Sequence, residues 1–279
     1  MVVASWQMMR PSPVSDTLRA ALTRCRVIDL EHPRQIGDPT FPAHYPGMAL
    51  FLSRRHELGG PERRTSASGV IVAAEHTGTH IDAISHQAED LTLYGGIRVN
   101  PAIQGPHGMA AHGVETIPPI LAPGQLLDVA ALRGERLPER YLVTPTDLES
   151  CEKAQGISIG KGEVVMIRTG YGAVWDDPDV YLRAAGVSRE AAEWLAARGV
   201  LAAGADNVAF DVTGHVDAVL ACTLPSHVIL LVRHGIYILE NLALEELAGM
   251  GAHGFMVVCL PLKIKGGTGC PVRPVALIA

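Results

Sequence analysis

Six short apolar runs, each opening on a glycine, set the strongest limit on what this chain can fold into: GVIVAA, GQLLDVAAL, GEVVMIRTG, GVLAAGADN, GIYILEN and GFMVVCLPL. Continuous apolarity over so few residues is what strands buried on both faces require, although each run alone would also suit a buried helix segment. Helical segments stand between some of them. TPTDLESCEKA carries Thr146 and Glu149 at capping-box spacing, and SREAAEWLAARG opens on Ser188 and closes on Gly199. Another amphipathic helix is expected over residues 14–24, capped near Ser15 and Asp16, with the short strand RVIDL after it. Strands interspersed with helices around an apolar sheet read as an α/β fold.

The 279 residues show no linker-like change of composition and no repeat, so one domain over 1–279 is expected, with a peripheral N-terminal helix within 1–27. Apolar residues at 48% and charged residues at 19% suit an ordinary globular chain. A net charge of −6 without any basic run excludes a general nucleic-acid binder. No window is long and apolar enough for a bilayer, and the start MVVASWQMMRPSPVSD lacks a secretory pattern, so neither a membrane nor export is expected. Five cysteines, scattered and never in a Cys-x-x-Cys pair, point to a reducing, cytoplasmic setting, with Cys222 and Cys259 buried as small apolar residues. Residues 31–60 are rich in proline, glycine and histidine and read as a long irregular pocket wall.

The chemistry concentrates in AEHTGTHIDAISHQ, where His76, His80, Asp82 and His86 fall within eleven residues. On a helix, His76 and His80 would share a face, but Gly78 and two threonines argue against a regular helix. A strand and turn would instead leave His80 and Asp82 pointing the same way at i and i+2. Two imidazoles and a carboxylate are a familiar set for a divalent metal with positions left open. His86 then serves as a further ligand or as a proton shuttle. His32, His56, His107 and His112, standing singly, read as surface or satisfied core residues.

The pattern His-x-Gly-Thr-His-x-Asp-x-x-x-His resembles the signature of the cyclase family of metal-dependent hydrolases, which includes kynurenine formamidase and isatin hydrolase. LPSHVILLVRHGIYILENLALEEL is similar to the family's second metal-binding segment, and the likeness runs from about Ile28 to the C-terminus. It implies a swivelling β/β/α-type domain with a mostly apolar central sheet and flanking helices. It further implies that His76, His80, Asp82, His227 and Glu240 hold one or two divalent ions, zinc or manganese, and that His86 is the catalytic proton carrier. Independently, Glu240 ends an apolar strand where a buried carboxylate wants a cation, although it would also suit a helix N-terminus. His227 by itself reads equally as a capping or surface residue.

The implied activity is hydrolysis of a small amide, lactam or formamide. Cleavage of a lactone or ester, or ring-forming dehydration, would use the same scaffold, and a non-catalytic metal-stabilised binder would need a closed site. Phe41 and Tyr45 from the proline-rich segment, with Thr268 and Gly269 from GGTG, are the expected substrate walls. GGTG is also a place where backbone N–H groups can approach an anionic oxygen. The positions after Asp82 (Ala83, Ile84, Ser85, and Gln87 after His86) depart from the proline- and aromatic-rich wording of formamidases and look closer to the isatin hydrolase-like branch. The resemblance also implies a homo-oligomer, a dimer or tetramer.

Overall fold

Successive residues of the strand Val164–Arg168 point to opposite sides of the central sheet, and both sides are packed. Val165 and Ile167 enter one apolar cluster, Val164 and Met166 the other. That two-sided burial is why the run carries no polar alternation, and each fully buried aliphatic side chain contributes roughly 1.5–3 kcal/mol. The computed structural model describes residues 15–57, 60 and 62–279.

Eleven strands matter for the site: β1 (Arg26–Asp29), β2 (Met48–Arg54), β3 (Ser68–Ala73), β4 (His80–Asp82), β5 (Ile120–Asp128), β6 (Val164–Arg168), β7 (Ala202–Ala205), β8 (Tyr237–Glu240), β9 (Gly254–Cys259), β10 (Gly269–Pro271) and β11 (Val275–Ile278). Nine of them form a mixed sheet in the order β1-β11-β9-β5-β6-β7-β8-β4-β10. β5, β6, β7 and β8 are parallel neighbours, and the pairings outside them are antiparallel. The helices α2 (Pro145–Gln155) and α3 (Arg189–Ala197) bury Leu148, Cys151, Trp194 and Leu195 in the first cluster. This is the expected α/β arrangement of an apolar sheet with flanking helices. No helix among the described residues is long and apolar enough to cross a membrane.

Several local expectations need correction. GVIVAA is β3, but it is not a core strand: it pairs only with β2, and every residue of it is exposed. The register places Leu50 beside Ile71 on one face of this ribbon and Phe51 beside Val70 on the other, so both faces are apolar. Continuous apolarity therefore marks a bare ribbon here, which run composition alone cannot tell from a buried strand. β2 also interrupts the segment expected to be irregular over 31–60. The capping box of α2 lies two residues earlier than expected, on Thr144 and Asp147, because Pro145 takes the first helical position. Cys259 is buried but Cys222 is only half-buried. The N-terminal helix α1 (Asp16–Arg24), capped by Ser15, buries none of its residues, while residues 1–14 lie outside the described part.

Candidate metal centre

Register builds the centre. β4 sits between β8 and β10, and its pairing with β8 puts Glu240 directly opposite His80 and Ile238 opposite Asp82. Opposite residues of an antiparallel pair share a face with Cβ atoms about 4.5–5.5 Å apart, so two segments 160 positions apart in sequence meet at one point. His80 and Asp82 point the same way along β4, as the i, i+2 spacing predicts. The turn before them depends on Gly78: its φ is +63°, and a Cβ there would lie 2.6 Å from Arg34 Nη1. Arg34 donates to the carbonyls of Thr77 and Thr79 and thereby clamps that turn. His86 closes a short 3-10 turn, Ile84–His86, rather than riding on a regular helix.

His80 Nε2 lies 3.4 Å from Asp82 Oδ1 and 3.3 Å from Glu240 Oε2. His227 Nε2 lies 3.4 Å from Asp82 Oδ2 and 3.2 Å from Glu240 Oε1. Two imidazoles and two carboxylates thus alternate around one buried point, each carboxylate offering one oxygen to each histidine. His76 adds its Nδ1 at 2.8 Å from Asp82 Oδ1. All five groups are buried, yet His80 Nε2, Asp82 Oδ2 and Glu240 Oε1 have no hydrogen-bond partner. Orphaned buried atoms of this kind are costly unless a cation satisfies them, so the donor set fits a divalent metal.

The outward nitrogens are held as well. His80 Nδ1 donates to the Gly78 carbonyl at 2.8 Å, and Asn241 Nδ2 donates to the same oxygen. His227 Nδ1 donates to Asp211 Oδ2 at 2.8 Å, while Asp211 Oδ1 accepts from Ser226 N. Both rings are therefore fixed with Nε2 turned inward, the usual service of an outer hydrogen-bond partner at a metal site. Asp211 was not legible from sequence, since nothing around DVTGH marks it as a partner of a residue 16 positions away.

His44 was missed too. It lies between the expected Phe41 and Tyr45 and stacks at 4.8 Å on His76, 6.1 Å from His86. Phe41 tilts against His44 at 5.9 Å with its other side packed on the core. Tyr45, 66% exposed, turns to solvent instead of forming a pocket wall. Thr268 and Gly269 do reach the centre: Thr268 Oγ1 lies 3.0 Å from His76 Nε2, and Gly269 pairs with Asp82. The GGTG amides are already engaged within the protein, Gly266 N by Glu115 and Thr268 N by Glu75, so the expected open anion cradle is filled by the protein's own carboxylates.

His86 stacks on His76 at 3.9 Å and meets His227 at 5.9 Å. Its ligating atom lies within 4.8 Å of those of Asp82 and His227. Burial holds its pKa well below the usual imidazole value, against the opposing charge of Asp82. Burial would also lower His80, but the Asp82 and Glu240 carboxylates beside it carry its pKa up to about 10. Burial opposes His227 in the same way, and Asp211, Asp82 and Glu240 raise it well above the ordinary value. Burial would raise Asp82, yet the surrounding histidines hold it well below the carboxylate range.

A pH dependence follows for the metal-free protein. A histidine whose folded pKa exceeds its unfolded value of 6.5 stabilises the fold fully below pH 6.5, and the contribution is lost as pH rises towards the folded value, about 10 for His80. Stability in the presence of a chelator is therefore expected to fall between about pH 6.5 and 10. A divalent ion held there would remove this dependence by taking the place of the two protons. Below pH 6.5 the depressed His86 works in the opposite direction, so urea denaturation on the alkaline side is the informative measurement. A flat chelated profile there would contradict the proton-for-metal exchange.

Residues 28–212 match the family described as putative cyclase. The chain belongs to the putative cyclase family. Among similar proteins, isatin hydrolase of Roseibium aggregatum is 26% identical over 86% of this chain and 84% of its own length. Kynurenine formamidase of Polaromonas naphthalenivorans is 24% identical over 92% of both chains. The solved isatin hydrolase A of Ralstonia solanacearum superposes with a TM-score of 0.76 at 26% identity, covering 97% of this chain and 99% of that one. These cyclase-family relatives bear out the expectation of a hydrolytic enzyme and of the α/β fold.

Proposed function

We propose that the enzyme hydrolyses the C–N bond of a small amide, lactam or formamide, with His76, His80, Asp82, His227 and Glu240 holding one or two divalent ions. The observation that carries this reading is the set of orphaned buried atoms on His80, Asp82 and Glu240, converging where His227 Nε2 also points. A divalent ion bound there supplies a charge that polarises an acyl oxygen and brings the acidity of water down to near pH ~7. Mixed imidazole and carboxylate donors suit zinc or manganese. Asp82 and Glu240 each present separate oxygens to His80 and His227, so either carboxylate would be available to hold one ion or two.

His86 is the proton carrier in this reading. Its nitrogens stand apart from the hydrogen bonds that lock His80 and His227, and its depressed pKa keeps it neutral and able to accept a proton at pH 7. It takes the proton of the attacking water and returns it to the leaving nitrogen, without which amide cleavage stalls. His44 and Phe41 stand on the same side as His86, where they would line the substrate's place.

Elemental analysis combined with turnover assays over isatin, formylkynurenine, simple formanilides and lactones tests the reading. At least one ion per chain and turnover of an amide, lactam or formamide are expected. Metal-free protein that is indifferent to chelator, or turnover confined to lactones and esters, would overturn it.

A further inference from the structure

The three metal-facing histidines do not offer the same nitrogen, and the reason lies outside the ligand set. His80 and His227 turn Nε2 inward because Nδ1 of each donates outward. His76 is reversed: its Nδ1 faces Asp82 Oδ1 at 2.8 Å, and its Nε2 faces Thr268 Oγ1 at 3.0 Å. The Thr268 hydroxyl has one proton, and that proton is committed, since Oγ1 donates to Glu75 Oε2 at 2.6 Å. Glu75 Oε2 also accepts from Thr268 N at 2.9 Å, which holds the residue in place. With its proton given away, the hydroxyl oxygen can only accept, so the hydrogen of His76 must reside on Nε2. With a single hydrogen on the ring, the Nδ1 lone pair then faces a carboxylate oxygen 2.8 Å away, a pairing of two acceptors that either a second ring proton or a divalent cation resolves.

The neighbouring glycines keep this chain of contacts tight. A Cβ at Gly267 would lie 2.8 Å from Glu75 Oε1, and one at Gly269 would lie 2.6 Å from His76 Cε1. GGTG is thus shaped to let Glu75 and His76 close on Thr268 from two sides.

We propose that Glu75, acting through the Thr268 hydroxyl, is a positioning residue that makes His76 a divalent-metal ligand through Nδ1, opposite to His80 and His227. The inference rests on the reading above that the centre holds a divalent ion. It assigns to Thr268 the orientation of a ligand and gives Glu75 a role that no motif assigned.

Long-range proton–nitrogen NMR spectra of the zinc-loaded protein test the assignment directly, with His76 expected to carry its proton on Nε2 and His80 and His227 on Nδ1. Competition titrations with a chromophoric chelator supply the second readout. Thr268→Val and Glu75→Ala are expected to weaken zinc binding about 10–100-fold, the usual cost of losing an outer partner, whereas Thr268→Ser stays within about twofold. If His76 carries its proton on Nδ1 while the protein still hydrolyses amides, the inference fails and the proposed function stands. If the NMR pattern and the affinity series are as expected but no amide, lactam or formamide is cleaved, the proposed function fails alone. Wild-type zinc affinity in Thr268→Val, or wild-type protein that takes up no zinc, overturns the inference. Should Thr268→Val not fold, the spectra of the wild-type protein still decide.

Discussion

Replacing Asp82 by alanine is expected to strip the protein of divalent metal and reduce turnover to background. Asp82 is the one group that reaches all three histidines, at 2.8 Å from His76, 3.4 Å from His80 and 3.4 Å from His227. Its removal should therefore cost more metal affinity than the roughly 10–100-fold produced by losing an outer partner, for which Asp211→Asn is the internal comparison. The metal-free protein should suffer as well. His80 and His227 sit in the interior with raised pKa values that depend on Asp82 and Glu240 together. Leaving buried charges half-paired typically costs about 3–5 kcal/mol, read as a lowered urea midpoint in chelator. Full metal content in Asp82→Ala would show that the alternating ring of His80, Asp82, His227 and Glu240 is not the binding centre.

The second large effect concerns His86. His86→Ala is expected to lower kcat about 10²–10⁴-fold, the usual worth of a positioned acid–base group, with metal stoichiometry unchanged. The separation is physical: Nε2 of His80 and of His227 face both the Asp82 and Glu240 carboxylates and Nδ1 of His76 faces Asp82, whereas His86 stacks on the ring of His76 and stands near His44. Added imidazole should restore part of the rate in this variant, because the truncation leaves room for a ring of that size stacked on His76. Retention of full metal and full turnover would remove His86 from the proton path.

Local chemistry made much of the site legible. The crowding of His76, His80, Asp82 and His86 points to a candidate metal centre because few structural roles call for three imidazoles and a carboxylate in eleven residues. The same logic missed His44, Asp211 and Glu75, each of which looks ordinary among its neighbours and acquires a role only through a partner distant along the chain. Tyr45 shows the converse. An aromatic in a proline-rich segment looks like a pocket wall, yet the backbone between Phe41 and Gly47 turns it outward and His44 inward.

By itself the sequence determined the α/β class, the strands β6 to β9, the helix α3 with its Ser188 cap, and the donor types gathered at the candidate centre. These depend on periodicity, capping and ligand chemistry, which act over a few residues. The run GQLLDVAAL was only half read, since the strand ends at Asp128 and the chain turns helical from Val129. Only the tertiary structure decided that GVIVAA is a bare ribbon, that Glu240 stands opposite His80, and that Asp211 meets His227 and Glu75 meets Thr268. Burial depends on what packs across a face, and strand register and hydrogen-bond direction depend on partners up to about two hundred residues away, so no window of sequence contains them.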